Sequence, residues 1–435
     1  MTKLHQIRIT LATAICAFIV SGVSAEEQAV EPVDSIQMRT PEKPEKTLSE
    51  KILAVPQFII DLPFEILEFT SKVIIDDVID TRFTRRTYQV FDDLHRIYGF
   101  YPTLGYGANM GIKGGIGFRS KGVLSEGERL KLKGSYSTHD YQRYKAVYIA
   151  PVLASKEGVT FYLSYDKKPW ESFFGIGFDS NEDDEVTYCS EETNFRMIGS
   201  WDLYAKWSAE VVGGYRVVNL YDGQNPDQEG DLDVIRQTLG LNRQSVGPAR
   251  VLSLTSTVTH DWRNSKFQPS RGGVEILSLS YNKGVNRAKD LEYLAYSLDL
   301  RHYFEVFKKR LFAVRVMAQS IDTQGDSPEL PFYLRSKLGG WDIMRGYREY
   351  RFIDNDMALM TIEYRYPIWQ IVDAFVFIDE ARVFNDIFDE FTLRNWKYSF
   401  GGGLRIWGVE SSVMSLQVAG SSETVQFYLE VAEEF

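Results

Sequence analysis

Residues 338–384 read LGGWDIMRGYREYRFIDNDMALMTIEYRYPIWQIVDAFVFIDEARVF. From 356 to 367, Met360, Ile362, Tyr364 and Tyr366 alternate with Thr361, Glu363 and Arg365. A period of two puts these sets on opposite faces of a strand, one apolar and one polar. A second strand follows and carries Asp379 on its polar parity. The turn between the strands centres near residue 370, so position 363 pairs near 377. Asp379 then lies two residues further along the neighbouring strand, about 7 Å from Glu363. Two carboxylates that close, facing one partly shielded space, repel each other unless a cation joins them.

The same alternation runs through the rest of the chain from about Phe100. Leu294, Tyr296, Leu298 and Leu300 oppose Ala295, Ser297, Asp299 and Arg301. Tyr398, Phe400, Leu404 and Ile406 oppose Ser399, Gly401, Gly403 and Arg405, and Met414, Leu416 and Val418 oppose Ser415, Gln417 and Ala419. These strands run to about ten residues, the length needed to cross a bilayer at a tilt. Their large, aromatic faces suit lipid and their small or charged faces suit a wet lumen. A mean hydropathy of -0.24 excludes a bundle of transmembrane helices, but it is what two averaged faces of a barrel produce. The aromatic share of 14% fits strands and membrane interfaces. The expected fold is all-β: a sixteen-stranded antiparallel transmembrane barrel over 100–435, at about 21 residues per strand and loop. The last strand, 424–435, sets Val425, Phe427, Leu429 and Val431 on one face and ends on Phe435. Phe427, Leu429 and Phe435 look like the terminal signal read by outer-membrane assembly machinery.

Three pieces of the opening stretch resemble the BamA/TamA-like bacterial surface-antigen barrel superfamily, which folds or secretes proteins at bacterial outer membranes. Arg345-Gly346-Tyr347 resembles the tip of that family's long loop, which folds back into the lumen. Glu363 to Pro367 resembles the strand after the loop, and Phe377-Ile378-Asp379-Glu380-Ala381 resembles the F-x-D-x-G motif, with Ala381 in the last glycine's place. Asp261 and Arg263, followed by Pro269 and Gly272, are similar to the family's D-x-R-[DN]…P-x-[RK]-G turn. Phe173 to Gly177 and Gly401 to Arg405 match further segments. The resemblance implies an outer-membrane barrel that assists insertion or translocation of proteins. A planar guanidinium can bridge two acids, and a loop of about 36 residues is long enough to enter the lumen and return. Arg345 is therefore expected to bridge Glu363 and Asp379, with Gly346 permitting a tight turn and Tyr347 packing on the inner wall. Glycines 105, 107, 111, 114, 115 and 117 would either thin the seam between first and last strands or form a loop.

Ahead of the barrel, residues 1–25 read as a cleaved signal peptide: Lys3 and Arg8, an apolar run from Ile9 to Val20, then Val23-Ser24-Ala25. Residues 26–47, with Pro32, Pro41 and Pro44, read as a flexible linker. Residues 48–99 read as a periplasmic amphipathic helical segment, with Ile66, Leu67, Val73, Ile74 and Val78 at helical spacing. That segment shows no convincing strand pairs, so no POTRA domain is expected there; a periplasmic partner protein could dock on it instead. A net charge of -11 argues against nucleic acid as a partner. Sequence-adjacent His139-Asp140 and His260-Asp261 do not build a catalytic relay, and no catalytic residue, metal or cofactor is expected. The expected partners are outer-membrane lipids and a client outer-membrane or secreted protein. A lipid-handling or structural barrel, or a loop-gated passive pore, is the alternative.

Overall fold

The computed structural model describes residues 99–431, apart from 108–109, 122–126, 152–157, 225–229, 231, 239–246, 267, 286–289, 308–309, 326–328, 370–371 and 408–411. The expected signal peptide, linker and nearly all of the helical segment lie outside the described residues, as does Phe435.

Eighteen strands follow in order. They are β1 (Phe100–Gly107), β2 (Gly111–Lys121), β3 (Arg129–Ser137), β4 (Gln142–Ala150), β5 (Val159–Phe173) and β6 (Val186–Asp202). Next come β7 (Trp207–Asp222), β8 (Ala249–Asp261), β9 (Gly272–Gly284), β10 (Glu292–Phe307), β11 (Arg310–Thr323), β12 (Ser336–Leu338) and β13 (Phe352–Asp354). The last are β14 (Asp356–Pro367), β15 (Val372–Phe384), β16 (Lys397–Trp407), β17 (Ser412–Ser421) and β18 (Val425–Val431). Sixteen of them form one closed antiparallel barrel in which each strand pairs with its chain neighbours and β18 returns to β1. The other two, β12 and β13, pair with each other inside the long β11–β14 connection. Gly105 and Gly107 lie in β1 and Gly111, Gly114, Gly115 and Gly117 in β2, rather than in an extended loop.

Alternation explains both surfaces. On β8, Leu252, Leu254 and Val258 are exposed on the outside. Between them, Thr255 and Thr257 point inward and share hydrogen bonds with Ser280 (2.8 Å) and Ser278 (2.9 Å) of β9. The outward apolar side chains can face lipid without cost, while the inward hydroxyls satisfy one another. β1 begins and β18 finishes at the same end of the barrel, the near end. Trp201, Leu203 and Tyr204 project around the short β6–β7 turn at that end, where aromatic side chains suit a membrane–water interface.

Connections at the far end are longer: β5–β6, β7–β8 and β11–β14. They fill the lumen there with an apolar cluster. Phe332 of the β11–β14 connection packs on Phe173 of β5 (ring centroids 4.4 Å) and edge-on to Tyr188 of β6 (5.3 Å). Ile353 joins the cluster, as does Ile235 on a short helix, α1 (Leu232–Thr238); both are fully buried.

The two faces predict different tolerance to charge. Leu254→Arg should cost about 2–4 kcal/mol of stability in lipid vesicles, the expected penalty near a bilayer midplane. Ser253→Arg, pointing inward next door, should cost less than half of that. Urea titrations followed by tryptophan emission would check this; equal losses would place both faces in the same medium.

Candidate site: the loop locked inside the barrel

The chain enters the β11–β14 connection at the far end and runs deep into the lumen. Three left-handed glycines shape the descent: Gly339 (φ 115°), Gly340 (φ 100°) and Gly346 (φ 85°). Leu338, Met344 and Tyr347 bury themselves against Met357 and Leu359 of β14 and Ala381 and Val383 of β15. Ala381 thus supplies a small methyl to a packed interface.

Strands β14 and β15 pair with Glu363 opposite Phe377 and Thr361 opposite Asp379. Both carboxylates face the lumen, at 5% and 1% exposure. Arg345 lies between them. Its Nε and Nη2 donate to the two oxygens of Asp379 at 2.9 and 2.8 Å, and its backbone N–H adds a third bond at 3.2 Å. Its Nη1 donates to Glu363 Oε2 (3.3 Å) and Gln417 Oε1 (3.4 Å). The guanidinium plane stacks on Phe377, 3.2 Å from the ring centroid. Thr361 completes the Asp379 shell with a hydroxyl bond of 2.8 Å. Arg365 and Arg405 donate to the other oxygen of Glu363 at 2.5 and 3.3 Å. Burial works against the charge on Arg345, but its bonds to Asp379 and the nearby Glu363 outweigh that and hold its pKa above the ordinary arginine value.

The next residues dock on the last two strands. Gly346 donates its N–H to Tyr428 Oη (3.2 Å), and its carbonyl accepts from Ser421 Oγ (2.8 Å). A Cβ at this position would stand 3.0 Å from the Gly420 carbonyl carbon, so the close approach and the positive φ both require glycine. Tyr347 Oη donates to the Tyr398 carbonyl at 3.3 Å.

Several contributors are not apparent from the sequence motifs. Arg351, 2% exposed, donates to Glu423 Oε2 (2.6 Å) and, with two nitrogens, to Ser180 (2.9 and 2.8 Å). It also stacks between Phe174 and Phe352. Arg348 pairs with Glu185 of the β5–β6 loop and so ties that loop to the long one. Tyr350 accepts from Lys168 Nζ of β5 (3.0 Å), which also reaches Glu171 (2.9 Å). Lys337 sits 4.2 Å above the Tyr350 ring, and burial pushes its ammonium pKa down to about 8. In the ring order, β5 and β15 stand eight strands apart out of sixteen, half a turn. The segment from Arg345 to Tyr350 therefore ties opposite walls together.

The other sequence-derived residues lie elsewhere. Asp261 and Arg263 form a local clasp at the near-end β8–β9 turn, with bonds of 2.9 and 2.7 Å. Pro269 is buried in that turn, and Gly272 closes it at φ 94°, where a Cβ would strike the Trp262 carbonyl at 2.4 Å. Phe427 is exposed on the outer face of β18 beside the partly buried Leu429. The described residues contain no cluster of His, Cys, Asp and Glu arranged for a metal.

Removing the Arg345 guanidinium strips buried Asp379 of its arginine, while Glu363 keeps Arg365 and Arg405. Arg345→Ala should cost about 3–5 kcal/mol, the scale for breaking a buried pair. Trypsin should then cut at Arg351, which is buried in the wild-type fold. Unchanged unfolding on heating and unchanged trypsin resistance would show that the contact does not hold the loop.

Comparisons with known proteins bear on the family and the fold. The family model for the Omp85 superfamily domain matches residues 123–408, more than half of the chain. No curated protein sequence matches. Among solved structures, BamA from Haemophilus ducreyi lacking POTRA domains 1–3 superposes with a TM-score of 0.53 at 17% identity, covering 76% of this chain and 69% of that one. CdiB from Escherichia coli superposes with a TM-score of 0.51 at 13% identity, covering 77% of this chain and 62% of that one. At those identities the likeness speaks for the fold. The chain belongs to the Omp85 superfamily, a family of outer-membrane β-barrels.

Proposed function

We propose that this barrel sits in a bacterial outer membrane and assists the insertion or translocation of client proteins, with the β1–β18 seam as their exit. The near end then faces the periplasm, and residues 48–99 serve to recruit a periplasmic partner. The observation that carries the reading is the seam itself, where β18 returns to β1 and closes the barrel. Among the described residues, two pairs join β1 to β18, Gly105 with Glu430 and Tyr106 with Leu429. Parting this seam exposes unpaired strand edges to which an incoming strand can add.

The loop supports the same reading. It holds β17 and β18 through Gln417, Ser421 and Tyr428, so β18 keeps its place when its pairing with β1 is lost. Arg345, Gly346, Tyr347, Glu363 and Asp379 act as the lumen lock in this scheme. The turn at Asp261, Arg263, Pro269 and Gly272 fixes the near-end rim, and Phe427 and Leu429 belong to the strand read during the barrel's own assembly. A passive pore would need water through the far end, where the cluster around Phe332 and Ile353 fills the lumen.

A seam disulfide tests the proposal. With Cys189 buried, Gly105→Cys/Glu430→Cys should crosslink on oxidation. In proteoliposomes, the oxidised double variant should lose client-barrel insertion and regain it on reduction. Undiminished insertion by the oxidised protein would rule out the seam as the exit, and a wild type that leaves client barrels uninserted would rule out the function itself.

A further inference from the structure

Beneath the locked loop lies a cavity of about 250 Å³. Its wall residues sit close to the near end: Arg301 on β10, Arg315 on β11, Arg365 on β14 and Arg405 on β16. Trp341 and Asp342 of the loop form its roof, and both are exposed, so the space is open to lumen water. From the geometry we infer that this cavity is a carboxylate-binding site that engages acidic residues of a polypeptide in transit. This names the client chemistry and rests on the function proposed above.

Charge supply is the first argument. Arg301 and Arg315 each grip Asp299 with two hydrogen bonds, at 3.1 and 2.7 Å and at 3.2 and 2.9 Å. One carboxylate thus serves two guanidiniums. Across the cavity lining, Arg345, Arg365 and Arg405 share the two carboxylates of Glu363 and Asp379. Each set is one negative charge short. Asp342 is the third acid of the lining, so with Asp299 behind Arg301 and Arg315 five guanidiniums stand against four carboxylates. Inside a wall surrounded by lipid, a surplus positive charge is weakly screened and concentrates anions.

An unused donor is the second argument. Ser415 lines the same cavity and is 3% exposed, yet its hydroxyl has no hydrogen-bond partner among the described residues. A buried hydroxyl left unpaired is costly, and an oxygen-rich anion in the cavity would satisfy it. Arginine forks match the two oxygens of a carboxylate. The cavity is too small and too polar for lipid acyl chains, whereas a side chain or chain terminus of a polypeptide fits.

The test uses the full chain in detergent micelles and fluorescein-labelled short peptides followed by anisotropy. One peptide carries several glutamates and an amidated C-terminus, a second carries glutamines in their place, and a third is the glutamine peptide with a free C-terminus. The glutamate peptide should bind, more weakly as salt rises, and the amidated glutamine peptide should not. Binding of the third peptide would assign the site to chain termini as well as side chains. Arg301→Gln and Arg315→Gln, both outside the Arg345 lock, should each weaken binding by about tenfold, the scale of one charge-assisted hydrogen bond. Should either variant misfold, quenching of Trp341 emission in the wild type by the glutamate peptide, reversed by salt, gives the same reading. Equal binding of the two amidated peptides, wild-type affinity in both variants, or inorganic phosphate that binds more tightly than the glutamate peptide would overturn the inference. Insertion blocked by the seam disulfide but without peptide binding would defeat this inference alone. Peptide binding without insertion would defeat the client reading alone.

Discussion

One guanidinium sets the interior of this barrel. Arg345 reaches Asp379 with three bonds and Glu363 with one, on adjacent strands whose register puts the acids side by side. Without a cation, that register would place two buried negative charges in contact. Arg365 and Arg405 of the wall pair with Glu363, but the arginine of Asp379 comes from the loop, so Asp379 keeps that partner only when the loop is inside. Buried ion pairs add little net stability compared with apolar packing, but they punish any arrangement that separates the partners. The pair therefore selects one loop conformation more than it strengthens the barrel.

That selection is propagated by contacts on the opposite wall. Lys168 of β5, paired with Glu171, donates to Tyr350, and Arg351 fastens the β5–β6 loop through Ser180. A barrel wall alone is a ring of strands that can deform toward an ellipse. A crosspiece fixed at both ends of a diameter resists that deformation. The apolar cluster around Phe332 adds packing at the far end, where no strand pairing could supply it.

Much of this was legible from the chain because strand period and register are local properties. The parity of Glu363 and Asp379, and a turn centred near 370, suffice to place position 363 opposite 377, as observed. Arg365 and Arg405 could be assigned to the polar face for the same reason, but not their shared target, since Glu363 meets Arg405 only once β14, β15 and β16 are assembled. The crosspiece was not legible at all. Lys168 and Tyr350 are 182 positions apart, and no periodicity relates them. The glycines of β2 were ambiguous because sequence does not reveal what fills the space they leave. A Cβ on Gly117 would fall 2.1 Å from the Tyr101 ring, so an aromatic side chain on β1 covers the missing one, and the segment stays a strand.

A closed barrel ordinarily gains its rigidity from an unbroken ring of hydrogen bonds. Here the ring closes at β1–β18, and the interior loop also reaches β17 and β18, the strands just before that closure. The two facts fit together physically. If β18 were held mainly by β1, opening the seam would release it. Because Tyr428 and its β17 neighbours are held from within by Gly346 and Arg345, the β17–β18 edge can stay ordered while β1 departs. Rigidity has been moved from the perimeter to the lumen, which is the arrangement a barrel needs if its wall is to part without unfolding.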